Sequence, residues 1–149
     1  MKEKIYIRDK RSPVPKNENV SRVMSANKAK NTNPEITLRK ELLKVGLRGY
    51  RLNHKRTPGR PDIVFVSKKI AVFVHGCFWH RCPYCNYKLP QSNQEFWKTK
   101  FDRNIERDRQ KTFELRKQGW KVVVIWECKI KNELQRNVQK LKTIFSNLS

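Results

Sequence analysis

The sequence is poor in negative charge and rich in positive charge. It has 13 Asp and Glu against 35 Lys and Arg, so the formal net charge is +22. The basic residues are spread along the whole chain, and the folded body is therefore expected to be basic and to bind a polyanion. A solubilising surface and contact with anionic lipid are the alternatives to nucleic acid, which is favoured; lipid is the weaker option because the sequence has no long basic helix with a continuous apolar face.

Long apolar segments are also lacking. The longest runs, Ile70–Val74 and Val122–Trp126, are far too short to cross a bilayer. The first eight residues lack the apolar core of a secretory signal. We therefore expect a cytoplasmic, nucleoid-associated protein in a reducing compartment, where cysteines bind metal more often than they form disulfides.

Cysteine is scarce, but three of the four residues lie close together. Cys77, Cys82 and Cys85 follow a C-x4-C-x2-C pattern that encloses Phe78–His80, and Cys128 follows an apolar run further along the chain. Four sulfurs suit tetrahedral Zn²⁺ and leave no open coordination position, so such a metal would be structural and would hold the aromatic segment in place. Two disulfides or unrelated buried cysteines are the alternatives, and zinc binding requires Cys128 to fold back onto the other three.

The 149 residues are expected to form one mixed α/β domain, a small central mixed β-sheet flanked by helices, over residues 32–149. Residues 1–31 are polar and basic and are predicted to form a mobile N-terminal arm. Met24 stands alone on this arm, where a methionine is usually solvent-exposed but can also wedge between base pairs from the minor groove. Apolar periodicity and turn residues predict these elements, with the last strand central: helix 32–45, edge strand 50–52, a hairpin of strands 63–66 and 70–74, helix 95–118, strand 120–126 and helix 134–148.

The hairpin brings two kinds of catalytic side chain together. Asp62 precedes its first strand and His75 follows its second, so antiparallel pairing should place Asp62 beside residues 75–80. A carboxylate and an imidazole on a basic protein indicate metal-assisted phosphodiester cleavage, with Asp62 binding Mg²⁺ and His80 acting as general base. The alternatives are a turn role for Asp62, zinc binding by His80, and helix capping for Glu35, whose carboxylate could instead lie near the active centre.

Several motifs together resemble the very short patch repair (Vsr) endonucleases, over a stretch from about Arg22 to Cys128: residues 59–62 (GRPD), 72–80 (VFVHGCFWH), 104–109 (NIERDR), 119–120 (GW) and 126–128 (WEC). The resemblance implies a fold related to type II restriction endonucleases. It also implies a monomer that nicks the T strand on the 5′ side of a T:G mismatch in double-stranded DNA, after deamination of a methylated cytosine, with mismatch-repair proteins as candidate partners. A related nuclease that needs no mismatch, and a zinc-stabilised DNA-binding module without catalysis, are the alternative functions.

The resemblance also implies roles for individual residues. Asp62 and the backbone carbonyl of Val74 would bind Mg²⁺, His80 would be the catalytic base, and His75 and Glu35 would contact metal-bound water or phosphate. Aromatic residues would enter the base stack beside the mismatch, opposite a minor-groove wedge: Phe78, Trp79 and Trp97 for the stack, and Met24 for the wedge.

The chain departs from the resembled pattern at two places. Val74 stands where the family can have Thr, which matters little if the ligand is a carbonyl. Some relatives use a histidine as the second zinc ligand, whereas this chain offers Cys82 and Cys85 with a slightly different spacing. The second strand lacks the acidic-x-Lys tripeptide of ordinary restriction nucleases, as the resembled family does.

Overall fold

A computed structural model describes residues 30–148. The elements are helices α1 (Asn33–Lys44), α2 (Gln94–Lys117), α3 (Glu127–Asn132) and α4 (Leu134–Asn147), and strands β1 (Arg51–Leu52), β2 (Ile63–Phe65), β3 (Ile70–His75) and β4 (Lys121–Trp126). Nearly all of the predicted arm, Met24 included, lies outside the described residues. Between residues 30 and 148, no helix is both long and apolar enough to span a membrane.

The four strands form one mixed sheet in the order β1-β2-β3-β4. β2 and β3 are antiparallel, with Ile63 opposite Val72, whereas β3 and β4 are parallel, with Val74 opposite Ile125. A crossover that contains the cysteine segment and α2 joins the parallel pair. The predicted fold class, a mixed sheet flanked by helices, is therefore confirmed.

Helices cover both faces of the sheet. On one face, leucines of α1 and α4 such as Leu38 and Leu141 pack with Val72 and Ile125 in the larger core. On the other face, Leu115 of α2 packs with residues of β3 and β4 in a smaller core. Because α2 crosses this second face, its polar side chains near the end of β3 are directed toward residues 75–80.

The prediction that the last strand is central was wrong. Among the described residues β4 is an edge strand, with β3 as its one neighbour in the sheet. Its apolar composition arises from coverage of both faces, since Val122 packs toward α2 and Val123 toward α1 and α4. An apolar run reports burial of the two faces and does not require a strand on each side.

The start of α1 brings Glu35 inward. Thr32 caps the helix, its hydroxyl accepting from the Glu35 amide at 3.4 Å, as the predicted cap requires. The Glu35 carboxylate, however, accepts from the amide of Asn31 at 2.9 Å and pairs with Arg39 at 3.0 Å. Only 3% of Glu35 is exposed. Its carboxylate is therefore buried, and it forms an ion pair with the guanidinium of Arg39.

Candidate active site and metal centre

The four cysteines meet in one cluster, although Cys128 is far from the others in sequence. Their sulfur atoms all lie within 4.8 Å of one another, and those of Cys82 and Cys128 are 3.7 Å apart. A disulfide would need about 2.05 Å, and all four thiols are free. Zn–S bonds of about 2.3 Å at tetrahedral angles separate sulfurs by about 3.8 Å. The cluster therefore fits a four-sulfur zinc site and does not fit two disulfides.

Backbone hydrogen bonds shape this cluster. The amide of Cys82 donates to the carbonyl of Cys77 at 2.9 Å, which closes the loop around the aromatic segment. The amide of Cys128 donates to the Cys77 sulfur at 3.3 Å, and that of Tyr84 donates to the Cys82 sulfur at 3.4 Å. Cys128 reaches the cluster because β4 runs parallel to β3 and ends beside it. Burial raises the pKa of the Cys77 thiol, so binding of a cation there would be coupled to proton release.

Asp62 lies where hairpin pairing predicted it, beside the end of β3. Its Oδ2 accepts from the Val74 amide at 2.7 Å. Burial raises the pKa of Asp62 to about 6, and the nearby Glu35 carboxylate adds to the rise, while the Val74 amide, His80 and Lys111 oppose it. The hydrogen bond from Val74 uses Oδ2 and does not involve the other carboxylate oxygen, Oδ1. A cation at this position would relieve the cost of ionising a buried carboxylate, so the environment of Asp62 suits a hard divalent ion.

His75 and His80 form a stacked pair that is completed by Asp108 of α2. Their rings are 4.0 Å apart and inclined by 7°, and His80 Nδ1 lies 2.6 Å from Asp108 Oδ2. Burial would raise the pKa of Asp108, but the hydrogen bond with His80 holds it below its ordinary value. Burial and the neighbouring His80 lower the pKa of His75 to about 4, so His75 is neutral at pH 7.

This trio has the residue types of a metal site, and its ligand atoms lie within 4.8 Å of one another. The lone pair of an imidazole nitrogen lies in the ring plane, so a shared metal must lie in the planes of both rings. Two stacked, nearly parallel rings offer no such point. The arrangement of His75, His80 and Asp108 therefore suits proton handling better than chelation.

These groups open into one cavity of about 1200 Å³. Its acidic and imidazole residues are Glu127 and those just described: Glu35, Asp62, His75, His80 and Asp108. Basic side chains surround them: Lys30, Lys55, Arg60, Lys100, Lys111 and Lys131. A carboxylate centre ringed by cations can hold a divalent ion and a phosphodiester at the same time.

The aromatic residues form a cluster that borders the cavity. Phe78 lies 5.1 Å from Trp79 and 5.8 Å from Trp97, measured between ring centroids, and Trp97 stacks on Phe101 at 5.6 Å. Trp97 is 8% exposed, whereas Phe78 and Trp79 are half-buried. Trp79 also lines the cavity that contains Asp62. The aromatic cluster and the candidate catalytic residues therefore share one surface, with Trp97 at the base of the cluster.

Sequence reasoning gave no role to two cavity residues of α2, Asp108 and Lys111. Asp108 stands within the NIERDR stretch, but nothing in a helical charge pattern separates it from exposed neighbours such as Asp102. Gly59 is linked to Lys111: its φ is +76°, and a Cβ there would lie 3.0 Å from the Lys111 Cγ. Glycine therefore lets the loop before Asp62 pack directly against Lys111, whereas a larger residue would have to displace that side chain.

Several known proteins are similar to this chain over about three quarters of its length. Residues 12–86 match the family model described as DNA mismatch endonuclease Vsr. The type II nicking enzyme V.NmeAIP of Neisseria meningitidis is 44% identical over 120 residues, 76% of this chain and 85% of the relative. The type II nicking enzyme V.NaeI of Lentzea aerocolonigenes is 43% identical over 77% of this chain and 71% of its own length.

The Escherichia coli protein named DNA mismatch endonuclease Vsr is 37% identical over 111 residues, 74% of this chain and 70% of that protein. The chain therefore belongs to the Vsr family of DNA mismatch and nicking endonucleases.

Proposed function

We propose that this protein is a Mg²⁺-dependent endonuclease that nicks the T-containing strand on the 5′ side of a T:G mismatch. The observation that carries the proposal is the single basic cavity onto which Asp62, the His80–Asp108 pair and Trp79 all open. The name of the Escherichia coli relative supports action at mismatches, and the names of the others support cleavage of one strand.

Asp62 and the backbone carbonyl of Val74 would hold Mg²⁺. The hydrogen bond from the Val74 amide orients the Asp62 carboxylate and keeps it next to the end of β3. Bound Mg²⁺ would polarise the scissile phosphate and stabilise the leaving oxygen. Glu35, neutralised by Arg39, would support this position through water or phosphate and not as a direct ligand.

His80 would act as general base. Because the Asp108 carboxylate accepts from Nδ1, the Nε2 lone pair is left to take a proton from the attacking water. His75 stacks against one face of the His80 ring and is neutral at pH 7. It therefore places no positive charge beside His80. Asp108 is thus a positioning residue for His80.

The aromatic cluster would select the mismatch. Phe78 and Trp79 would enter the base stack, Trp97 would support them from the base of the wedge, and Met24 would act from the minor groove. Separating a base step costs a few kcal/mol, and the cost is smallest at a mispair. Weak pairing thereby becomes a basis for selection, while the lysines and arginines around the cavity hold the backbone without reading sequence.

The four cysteines would hold Zn²⁺ in a structural role. The cluster joins the loop that contains Phe78–His80 to Cys128 at the start of α3. The metal would therefore fix the aromatic residues and His80 relative to the sheet. The proposal therefore divides the two metals by function: zinc positions the loop, and magnesium serves the reaction.

A strand-specific assay tests the proposal. Duplexes with one T:G pair, labelled on either strand, should be nicked on the T strand alone and only with Mg²⁺, and Asp62→Asn should abolish nicking while mismatched DNA is still bound. Asp102→Asn, an exposed change of the same chemistry, should nick normally. Equal cutting of paired and mispaired DNA would instead indicate a restriction-type nuclease, and binding without cleavage in any divalent metal would indicate a non-catalytic module.

A further inference from the structure

The outer edge of β4 offers unpaired backbone groups. The Lys121 amide donates to the Lys69 carbonyl at 2.8 Å, toward β3. Backbone groups alternate in direction along a strand, so those of Val122 and Val124 point the opposite way, to the open edge. Within residues 30–148 no further strand pairs with this edge. An extended chain laid along it could form the hydrogen bonds of an added strand.

The edge forms the floor of a groove. One cavity of about 610 Å³ lies along residues 121–124, between Arg116 at the end of α2 and the side of α4 formed by residues 136–144. A second cavity, of about 510 Å³, continues along residues 124–126 toward Tyr84. A six-residue strand spans about 20 Å. We call this surface the β4 groove; its length and shape fit one extended peptide segment.

The lining of the β4 groove is strongly basic. It contains these cationic residues: Arg116, Lys121, Lys129, Arg136 and Lys140. Glu133 is the acidic residue among those that line the two cavities, and it is paired with Lys129 at 3.1 Å and with Arg136 at 3.9 Å. The free charge of the groove is therefore positive, which favours an acidic occupant.

An apolar pocket adjoins the groove on the α2 side. Its volume is about 610 Å³, and Ile105, Phe113, Val124 and Trp126 contribute to its walls together with arginines of α2. Phe113 is 66% exposed on an otherwise charged helix surface. The same pocket extends to His80 and Asp108. An apolar side chain carried by the occupant of the groove would find a site here.

We propose that the β4 groove binds an acidic, extended segment of a partner protein, which adds to β4 as a strand and places an apolar side chain against Phe113 and Trp126. A second copy of this chain would bring the same positive charge to the groove. Residues 1–29, in which Lys and Arg outnumber Asp and Glu, would do likewise. Nucleic acid is the other acidic polymer, but the strand edge supplies amides and carbonyls in the spacing of a peptide backbone.

Selection from a library tests the proposal on the full-length protein. Displayed dodecapeptides, randomised at every position, are selected on the wild type, and the enriched sequences are synthesised with a fluorescent label. We expect Asp and Glu alternating with apolar residues, and slower hydrogen exchange of residues 121–126 when the peptide is bound. If no sequence is enriched, the proposal is overturned. The cationic residues along β4 would then serve only to keep its open edge from pairing with other chains.

Two variants locate the binding site. The pair Arg136→Glu and Lys140→Glu should weaken peptide binding at least tenfold, and Lys40→Glu with Lys142→Glu, an equal charge change at exposed positions outside the groove, should not. Val124→Pro removes an outward amide at a position where an edge strand tolerates proline, and it should also abolish binding. Thermal unfolding verifies that each variant is folded.

The outcomes separate the possible occupants. Peptide binding that survives both groove variants, or that leaves the exchange of residues 121–126 unchanged, overturns the proposal. If no acidic peptide is selected and the Arg136/Lys140 variant loses affinity for mismatched duplex relative to the Lys40/Lys142 control, the groove is a nucleic-acid contact. Nicking by the Arg136/Lys140 variant at the rate of that control supports a site for a partner protein.

Discussion

The His80 imidazole and the Asp108 carboxylate are joined by a hydrogen bond of 2.6 Å between the cysteine-containing loop, residues 77–85, and α2. The two residues are 28 positions apart, and each is held by a different element. A nearby contact reinforces the same junction, since the Asn104 side chain donates to the Trp79 carbonyl at 3.1 Å. The position of the candidate base thus depends on how α2 packs against the end of β3.

Asp108→Asn should lower kcat for T:G nicking by about 10²–10⁴-fold, the range for loss of general-base catalysis, because His80 loses the acceptor that orients it. Affinity for the mismatched duplex should change little. Single-turnover nicking and equilibrium binding separate the two effects. Asp102→Asn, on the exposed side of the same helix, is the matched control; a loss of affinity as large as the loss of rate would argue against a positioning role.

Asp62→Asn should stabilise the protein in magnesium-free buffer at pH 7. A raised folded-state pKa, about 6 against an ordinary 3.8, means that ionisation of Asp62 destabilises the fold. The cost is absent below pH 3.8, grows as pH rises toward 6 and is complete above it. A shift of about two units corresponds to roughly 3 kcal/mol, as an upper bound. Denaturant unfolding at pH 4 and pH 7 measures it, and a variant that gains nothing at pH 7 relative to pH 4 would contradict the expectation.

Removal of zinc should unfold the loop that contains the aromatic residues. A zinc-selective chelator removes the metal that the four thiolates share, and Cys128→Ser removes one of its four ligands, so in both cases the hydrogen bonds from backbone amides to the sulfurs should weaken. Hydrogen exchange at residues 77–85 should rise, and one zinc per chain should be lost by elemental analysis. Exchange that stays slow after complete metal removal would show that the loop is stable without the metal.

Gly59→Ala should be more harmful than Gly49→Ala, although both residues have similar positive φ values of 76° and 81°. The backbone strain of alanine, about 1–2 kcal/mol, is common to both. Only at Gly59 would the new Cβ press on Lys111, at 3.0 Å, whereas nothing lies within 4 Å at Gly49. Unfolding and nicking assays on the pair therefore isolate the contact with Lys111. Equal effects on both would mean that Lys111 moves aside at no cost.

Local patterns in the sequence were sufficient to predict three of the four helices of the described residues, the hairpin and the neighbourhood of Asp62. The β-branched runs around a short turn permit one antiparallel pairing, and that pairing alone sets Asp62 beside Val74. Motif resemblance supplied the family. The short helix α3 was not predicted, because six residues after a strand carry too little periodicity.

Tertiary structure decided what distant elements do together. Among the charged residues of α2, Asp108 is the one that contacts His80. β4 lies at the edge of the described sheet, and the open side of β4 lines a basic groove. The physical reason is that periodicity records which face of an element is buried, whereas contacts between elements depend on how their buried faces pack against one another. The sequence alone determined the elements and their chemistry, and the packing of α2 and β4 against β3 determined the geometry of the site.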